Sequence, residues 1–475
     1  MLPEKYSRTA AYGAGLGLFG WFVYLIRAGL RSWFSADDLM NLHYYWVRPW
    51  SALLKADLFF WSSYYRPGGG LFYRVIYSLW GFHPLPFRIA VFIFLCANFV
   101  LLAIVVRQLT ASRWAALLAL LLVGIHPMLV ALYFDTGTIY DVLVYLFFWS
   151  AFAWYVHIRQ RGHIPGPGGL VALLCLFAAA LDSKEIAVLL PVTVALYELV
   201  WYPPLAWKPG ALWRWIYREG RFAAMGAVFD VAFIIGKRYG PDSLWQVEAY
   251  RPHYSAAAYI QSLSHYLHEL TYQPDLKPRR MVMLLAAMLV IAVTSRRRCL
   301  IWAWAFVMVG VLPLAFIPDR AGFAYIVPSV GWAVYAAGLL DWLVDLIAAK
   351  RVQVRAAAQV LVLFLLAIFL APWQRHWIVI SGKAAHEMQH RFLRYQNQIL
   401  ALIPAPRPGA KILLLTDADG YADWDVYFLI RLTYGDPKLQ AYRMSILREY
   451  HTPVDPSTYD YVLDYGDGHF TLIAK

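Results

Sequence analysis

Residues 35–38 read Ser-Ala-Asp-Asp, just past a long apolar stretch. Adjacent carboxylates near a membrane repel each other and are costly to desolvate. One of them can take the proton from a hydroxyl as its oxygen attacks an anomeric carbon. Low dielectric, or the second carboxylate, lifts the pKa of Asp37 or Asp38 toward a useful range. The same residues also suit a helix start, since Asp is favoured at N-caps and Leu39 to Trp46 reads as helical. Both readings stand at this stage. Other charged residues fall at apolar-segment ends that alternation places on the same side: Asp135 and Asp141, Lys184-Glu185, and Asp319-Arg320, with Arg66 in the loop after Asp38. Each has a structural reading of its own. Asp135 suits a solvated turn, Asp141 a helix cap, Lys184-Glu185 an ion pair or a snorkelling lysine, and Asp319-Arg320 an interfacial pair. Together they put carboxylates beside Lys and Arg on one rim, which suits a phosphate leaving group next to a general base.

Other polar residues carry less. His126-Pro127 lies inside an apolar run and reads first as a helix kink with a hydrogen-bonded imidazole. His83, His253, His265 and His268 do not form a metal set, although the last two, three apart, share a helix face. Cys96, Cys175 and Cys299 all sit in apolar runs and indicate neither a disulfide framework nor a metal site. No metal or cofactor is expected; a divalent ion at the acidic pair would be chemically reasonable, but no ligand spacing supports one. Arg66-Pro67-Gly68-Gly69-Gly70 lacks the lysine and hydroxyl of a phosphate loop. It reads as a flexible turn between interfacial helices over 39–60 and 71–82.

The elements that must hold these residues are membrane helices. Of 475 residues, 61% are hydrophobic and 15% charged, against about 25% charged in soluble domains. Eleven apolar segments suggest crossings near 10–30, 88–106, 114–133, 139–157, 168–182, 185–202, 221–236, 281–294, 299–317, 323–345 and 356–372. The first is read as an uncleaved anchor. Basic residues mark alternate loops: Lys5 and Arg8, Arg107 and Arg113, Arg159 and Arg161, Lys208 to Arg218, Arg296 to Arg298, and Lys350 to Arg355. That side is expected to be cytoplasmic, leaving loops 31–87, 134–138, 183–184, 237–280 and 318–322 outside. The net charge of +13 fits such loops and lipid headgroups, and no nucleic-acid module is present. Residues 376–475 change character. Lys411 to Thr416 predicts a buried strand, Asp423 to Tyr434 a helix, and Tyr459 to Ala474 two strands about Gly466-Asp467-Gly468. The expected architecture is a polytopic helical membrane domain, 1–375, followed by a small extracytoplasmic α/β domain, 376–475.

The order of the short motifs resembles that of GT-C integral membrane glycosyltransferases. The likeness is to the transmembrane and tetratricopeptide-repeat mannosyltransferases and their bacterial relatives. Phe34 to Asp38 resembles that family's acidic pair after the first helix. Tyr65-Arg66-Pro67, with Gly81 to Pro84 and Phe87, resembles its tyrosine-arginine-proline segment. His126-Pro127 with Asp141, Ser183-Lys184-Glu185 with Leu190-Pro191, and Arg320, Tyr325, Pro328-Ser329 and Gly331 follow in the family's order. The resemblance implies a GT-C-like fold and a polyprenyl-phosphate sugar donor. It implies a hydroxyl acceptor on a protein, lipid or glycan, and inverting transfer on the outer face of a membrane, a bacterial inner membrane being expected. By that resemblance Asp37 or Asp38 is the base. Lys184, Arg320 and Arg66 meet the lipid phosphate, and Glu185, Asp141, Asp135, Tyr325 and His126 position substrate. The repeats are missing, so the acceptor and the sugar stay open. The competing classes are a lipid-linked glycan transporter or flippase, a non-catalytic GT-C-like scaffold, and a polyprenyl-lipid ligase or polymerase. A transporter should show internal repeats and midplane charges, whereas the charges here cluster at one rim.

Overall fold

A computed structural model describes residues 2–62, 64–240, 243, 247–271, 277–348, 351–418 and 424–474. Lys350 and Asp423, named above, lie outside the described residues. The chain begins with the long helix α1 (Leu2–Ile26), and three shorter helices follow: α2 (Ala36–Trp46), α3 (Trp50–Leu58) and α4 (Pro67–Trp80). Next come α5 (Pro84–Thr110), α6 (Arg113–Ala119), α7 (Val130–Phe134), α8 (Ile139–Gln160), α9 (Pro167–Ser183) and α10 (Leu189–Trp201). The chain continues through α11 (Pro209–Arg218), α12 (Arg221–Tyr239), α13 (Ala256–Thr271), α14 (Pro278–Ser295), α15 (Arg298–Gly310) and α16 (Ser329–Ile347). Proline opens α4, α5, α9, α11 and α14. Its fixed φ suits a first helical position, where no intrahelical N–H bond is lost.

Each expected crossing falls on a helix. Among the described residues, six helices are long and apolar enough to cross a membrane, or seven counting the bent pair 113–124 and 127–134. That is fewer than the eleven full spans expected. Helices α9 and α15 are shorter apolar helices, α10 has 13 residues, and α12 carries Arg221, Asp230, Lys237 and Arg238. The pair bends by 58° at His126-Pro127. Proline offers no amide to continue the ladder, and the His126 ring Nδ1 accepts the Met128 N–H at 3.1 Å instead. The kink reading of His126 therefore holds, and its imidazole is buried.

Helix α17 (Val352–Leu402) runs for 51 residues and carries the chain into the C-terminal domain. That domain contains β1 (Lys411–Leu414), α18 (Asp425–Tyr434), β2 (Gln440–Arg443), α19 (Met444–Glu449), β3 (Tyr461–Gly466) and β4 (His469–Ala474). The sheet order is β2-β1-β3-β4, with β1 parallel to both neighbours and β3–β4 an antiparallel hairpin. Strand β2 was not expected, because its four residues carry no apolar alternation strong enough to mark it. Tyr395 of α17 packs edge-on against Tyr465 and Phe470, and His43 of α2 lies against Tyr427 and Phe428 of α18.

The flexible glycine turn expected after Arg66 is not found. Residues 67–70 are the first turn of α4, with Gly69 and Gly70 buried, not a flexible turn. A Cβ on Gly69 would stand 2.1 Å from the Tyr140 ring, one on Gly70 2.6 Å from the Tyr45 ring, and one on Gly68 3.3 Å from the Asp182 backbone. The three glycines let α4 lie directly on α2, α8 and α9.

Candidate functional site

The acidic pair opens α2, and the two carboxylates take different surroundings. Ser35 is the N-cap: its hydroxyl accepts the Asp38 N–H at 3.2 Å, and the Asp38 carboxylate accepts the Ser35 N–H at 3.0 Å. This reciprocal capping box fixes Asp38 at the third helical position and turns it inward. There Arg88 of α5 lies 3.3 Å away, and the Tyr73 hydroxyl is 3.1 Å from the other carboxylate oxygen. Arg88 also donates to the Trp33 carbonyl. Asp38 is fully buried. Burial pushes its pKa up to about 7 against the pull of Arg88, with the Asp135 charge adding to the rise.

Asp37, one residue earlier and about 100° round the helix, is exposed. Desolvation by the surrounding protein, and then the charge of Asp135, raise its pKa above the usual carboxylate range. Asp135 caps the turn before α8, accepting the Gly137 N–H at 2.8 Å and the Ser35 hydroxyl at 2.6 Å. A Cβ on Gly137 would stand 2.7 Å from the Cβ of Asp37, so the bare glycine is what lets this turn approach the acid.

Three cations each have an anionic or aromatic partner nearby. Arg66 is the N-cap of α4 and holds a left-handed backbone, with φ 38°. Its guanidinium forks onto Glu185, with Nη2–Oε2 at 2.8 Å and Nε–Oε2 at 3.1 Å, and lies over the rings of Tyr65 and Tyr140. Lys184, the C-cap of α9, meets Asp141 at 2.5 Å, and Asp141 is buried in the first turn of α8. Lys184 and Glu185 are therefore not paired with each other; each reaches a different helix. Arg320 lies over the Tyr250 ring at 4.2 Å, while its carbonyl accepts from His265 Nε2 at 2.9 Å. Tyr325 is buried against Tyr266 and His265.

Tyr65 ties the groups together. Desolvation raises its pKa, and its hydroxyl interacts electrostatically with Arg66, Glu185, Tyr250 and Asp37. The structure thus brings Asp37, Asp135, Arg66, Lys184, Glu185, Asp141 and, through Tyr250, Arg320 to one rim. It leaves His126 at its kink, hydrogen-bonded to Met128. Among the described residues no group of three His, Cys, Asp or Glu side chains is arranged to hold a metal ion.

Residues 66–225 match the family model for dolichyl-phosphate-mannose-protein mannosyltransferases. The resemblance to GT-C glycosyltransferases holds. Among solved structures, ArnT from Cupriavidus metallidurans bound to undecaprenyl phosphate aligns with 98% of this chain and 97% of its own, at 14% identity and a TM-score of 0.44. No curated protein matches.

Sequence reasoning missed Arg88, Tyr73, Tyr140 and Gly137. Arg88 had a signal, an arginine inside an otherwise apolar helix, which marks a group with a buried partner. Gly137 had none beyond its turn, because a close approach between distant segments leaves no trace in local spacing.

Proposed function

We propose that this GT-C-like chain transfers a sugar from a polyprenyl-phosphate donor to a hydroxyl acceptor on the extracytoplasmic side, with inversion at the anomeric carbon. The observation that carries the reading is the division of the acidic pair. Asp38 is committed to the capping box and to Arg88, whereas Asp37 is open, raised in pKa by its surroundings and Asp135, and in electrostatic reach of Tyr65, which also interacts with Arg66 and Glu185.

Asp37 accepts the acceptor's hydroxyl proton as that oxygen forms the new bond to the anomeric carbon. The bond from that carbon to the phosphate oxygen breaks, and the electron pair leaves with the polyprenyl phosphate. Arg66 and Lys184 receive that charge, with Arg320 behind Tyr250 as a third cation. Glu185 and Asp141 hold the two nearer cations while the site is empty of donor, which prevents like-charge repulsion from spreading them. Asp135 raises the proton affinity of Asp37, and so its strength as a base.

The donor class is tested by giving purified protein radiolabelled polyprenyl-phosphate sugars or nucleotide sugars, in detergent or vesicles. Release of polyprenyl phosphate, with no consumption of nucleotide sugar, is expected. Turnover of a nucleotide sugar alone, or vectorial movement of an intact lipid-linked glycan without bond cleavage, would replace this reading with another.

A further inference from the structure

The last turns of α12 touch the loop before Arg66 at three successive places. The Phe229 ring stacks on Phe60 at 4.6 Å. Gly236 lies so close to the Trp61 carbonyl that a Cβ there would overlap it. The Lys237 ammonium donates to the Tyr64 carbonyl. On the far side of the same loop, the Tyr45 hydroxyl donates to the Tyr65 carbonyl at 2.6 Å and lies 3.2 Å from that of Arg66. The loop is therefore gripped from two helices just where the chain enters the left-handed conformation of Arg66. A non-glycine residue keeps such a backbone only where its surroundings over-determine it. The positive charge of Lys237 also acts on Glu185, the partner of Arg66. Residues 236 and 237 lie beyond the stretch matched by the family model.

We infer that Lys237, supported by Gly236, is a positioning residue that fixes Arg66 for the donor's phosphate. This rests on the assignment of Arg66 to that phosphate. Lys237 works at both ends of the arginine. Through the Tyr64 carbonyl it sets the backbone from which Arg66 projects. Through Glu185 it shares the counter-charge, so an arriving phosphate competes with a carboxylate that already has a second cation. Its ammonium lies over Phe233 and bonds a carbonyl, so its first duty is to the loop and not to a ligand.

The test measures binding of a polyprenyl monophosphate to the full-length protein. It compares Lys237→Met, Lys237→Arg, Arg66→Ala and the double variant Arg66→Ala/Lys237→Met, with Gly236→Ala as an independent disruption of the same contact. Loss of one charge-assisted hydrogen bond predicts a roughly tenfold weaker affinity for Lys237→Met. Lys237→Arg, which can still donate to the carbonyl, should stay within about twofold. Gly236→Ala should weaken binding as well. In the Arg66→Ala background, Lys237→Met should add no further loss, because a residue that acts only through Arg66 is non-additive with it. A merely structural lysine would give additive losses and no rescue by arginine, and that result overturns the inference. Unchanged affinity in both Lys237→Met and Gly236→Ala also overturns it, while leaving Arg66 as the phosphate ligand. Unchanged affinity in Arg66→Ala removes that assignment and the inference together.

Discussion

Successive side chains in a helical turn point about 100° apart, so two neighbouring aspartates cannot both face one site. The capping box decides which of them turns inward. Ser35 and Asp38 exchange bonds across three residues, and Asp37 is left on the open side. Its basicity follows from partial desolvation by the surrounding protein and from Asp135. As the proposed base Asp37 acts as the carboxylate, so transfer should rise as pH climbs through its raised pKa and fall as pH drops through it. Asp135→Asn removes a neighbouring negative charge while keeping an acceptor oxygen for Ser35 and Gly137. The pKa of Asp37 should then fall, and the acid limb of the pH–rate profile should move to lower pH. A limb that stays in place, or moves upward, would separate Asp135 from the base.

Among the elements, α4 and α2 do most of the placing. The α4 glycines set the start of α4 against α8 and α9, so that Arg66 meets Glu185 at the α9–α10 junction. Gly69→Ala should force α4 off the Tyr140 ring, costing about 1–3 kcal/mol of stability as overpacking does, together with donor affinity. Thermal unfolding and donor binding measured on one preparation check both effects. Helix α2 is also a seat of the C-terminal domain, through the packing of His43 against the rings of Tyr427 and Phe428. Burial, aided by the charge of Arg431, holds the His43 pKa down to about 4. Its neutral form is the one that packs. The contact is thus unpenalised above the unfolded value near 6.5 and loses stability as pH falls from there toward 4, by ~3 kcal/mol at most. His43→Phe should flatten that acid dependence, as read by hydrogen exchange in α18. An unchanged dependence would place the titrating group elsewhere.

At the scale of the whole chain, the sequence made the helical membrane class, the order of the rim motifs and most of the C-terminal strands legible. These are written in apolar length and alternation. It could not show that Lys184 and Glu185 reach different helices, or that Arg88 takes up the charge of Asp38. Both facts depend on which distant segments lie side by side. The glycines at 68–70 misled for the same reason. Glycine marks either a loose turn or a close packing, and only the neighbour decides. Eleven full crossings were expected, whereas among the described residues six helices, or seven with the bent pair, are long and apolar enough, because short helices such as α9 and α15 share the composition of full spans. What the assembled chain adds is convergence: α2, α4, α8 and the α9–α10 junction each deliver one or two charged groups to the same rim.

The central claim is that the two acids, adjacent in sequence, do different work, and substituting each in turn tests it. Asp37→Asn should lower kcat at least about a hundredfold and leave thermal stability unchanged. Asp38→Asn should leave Arg88 buried without its counter-charge, costing ~3 kcal/mol of stability. The folded fraction of that variant should still turn over donor. Full turnover by Asp37→Asn, with the chemistry lost instead in a stably folded Asp38→Asn, would contradict the account.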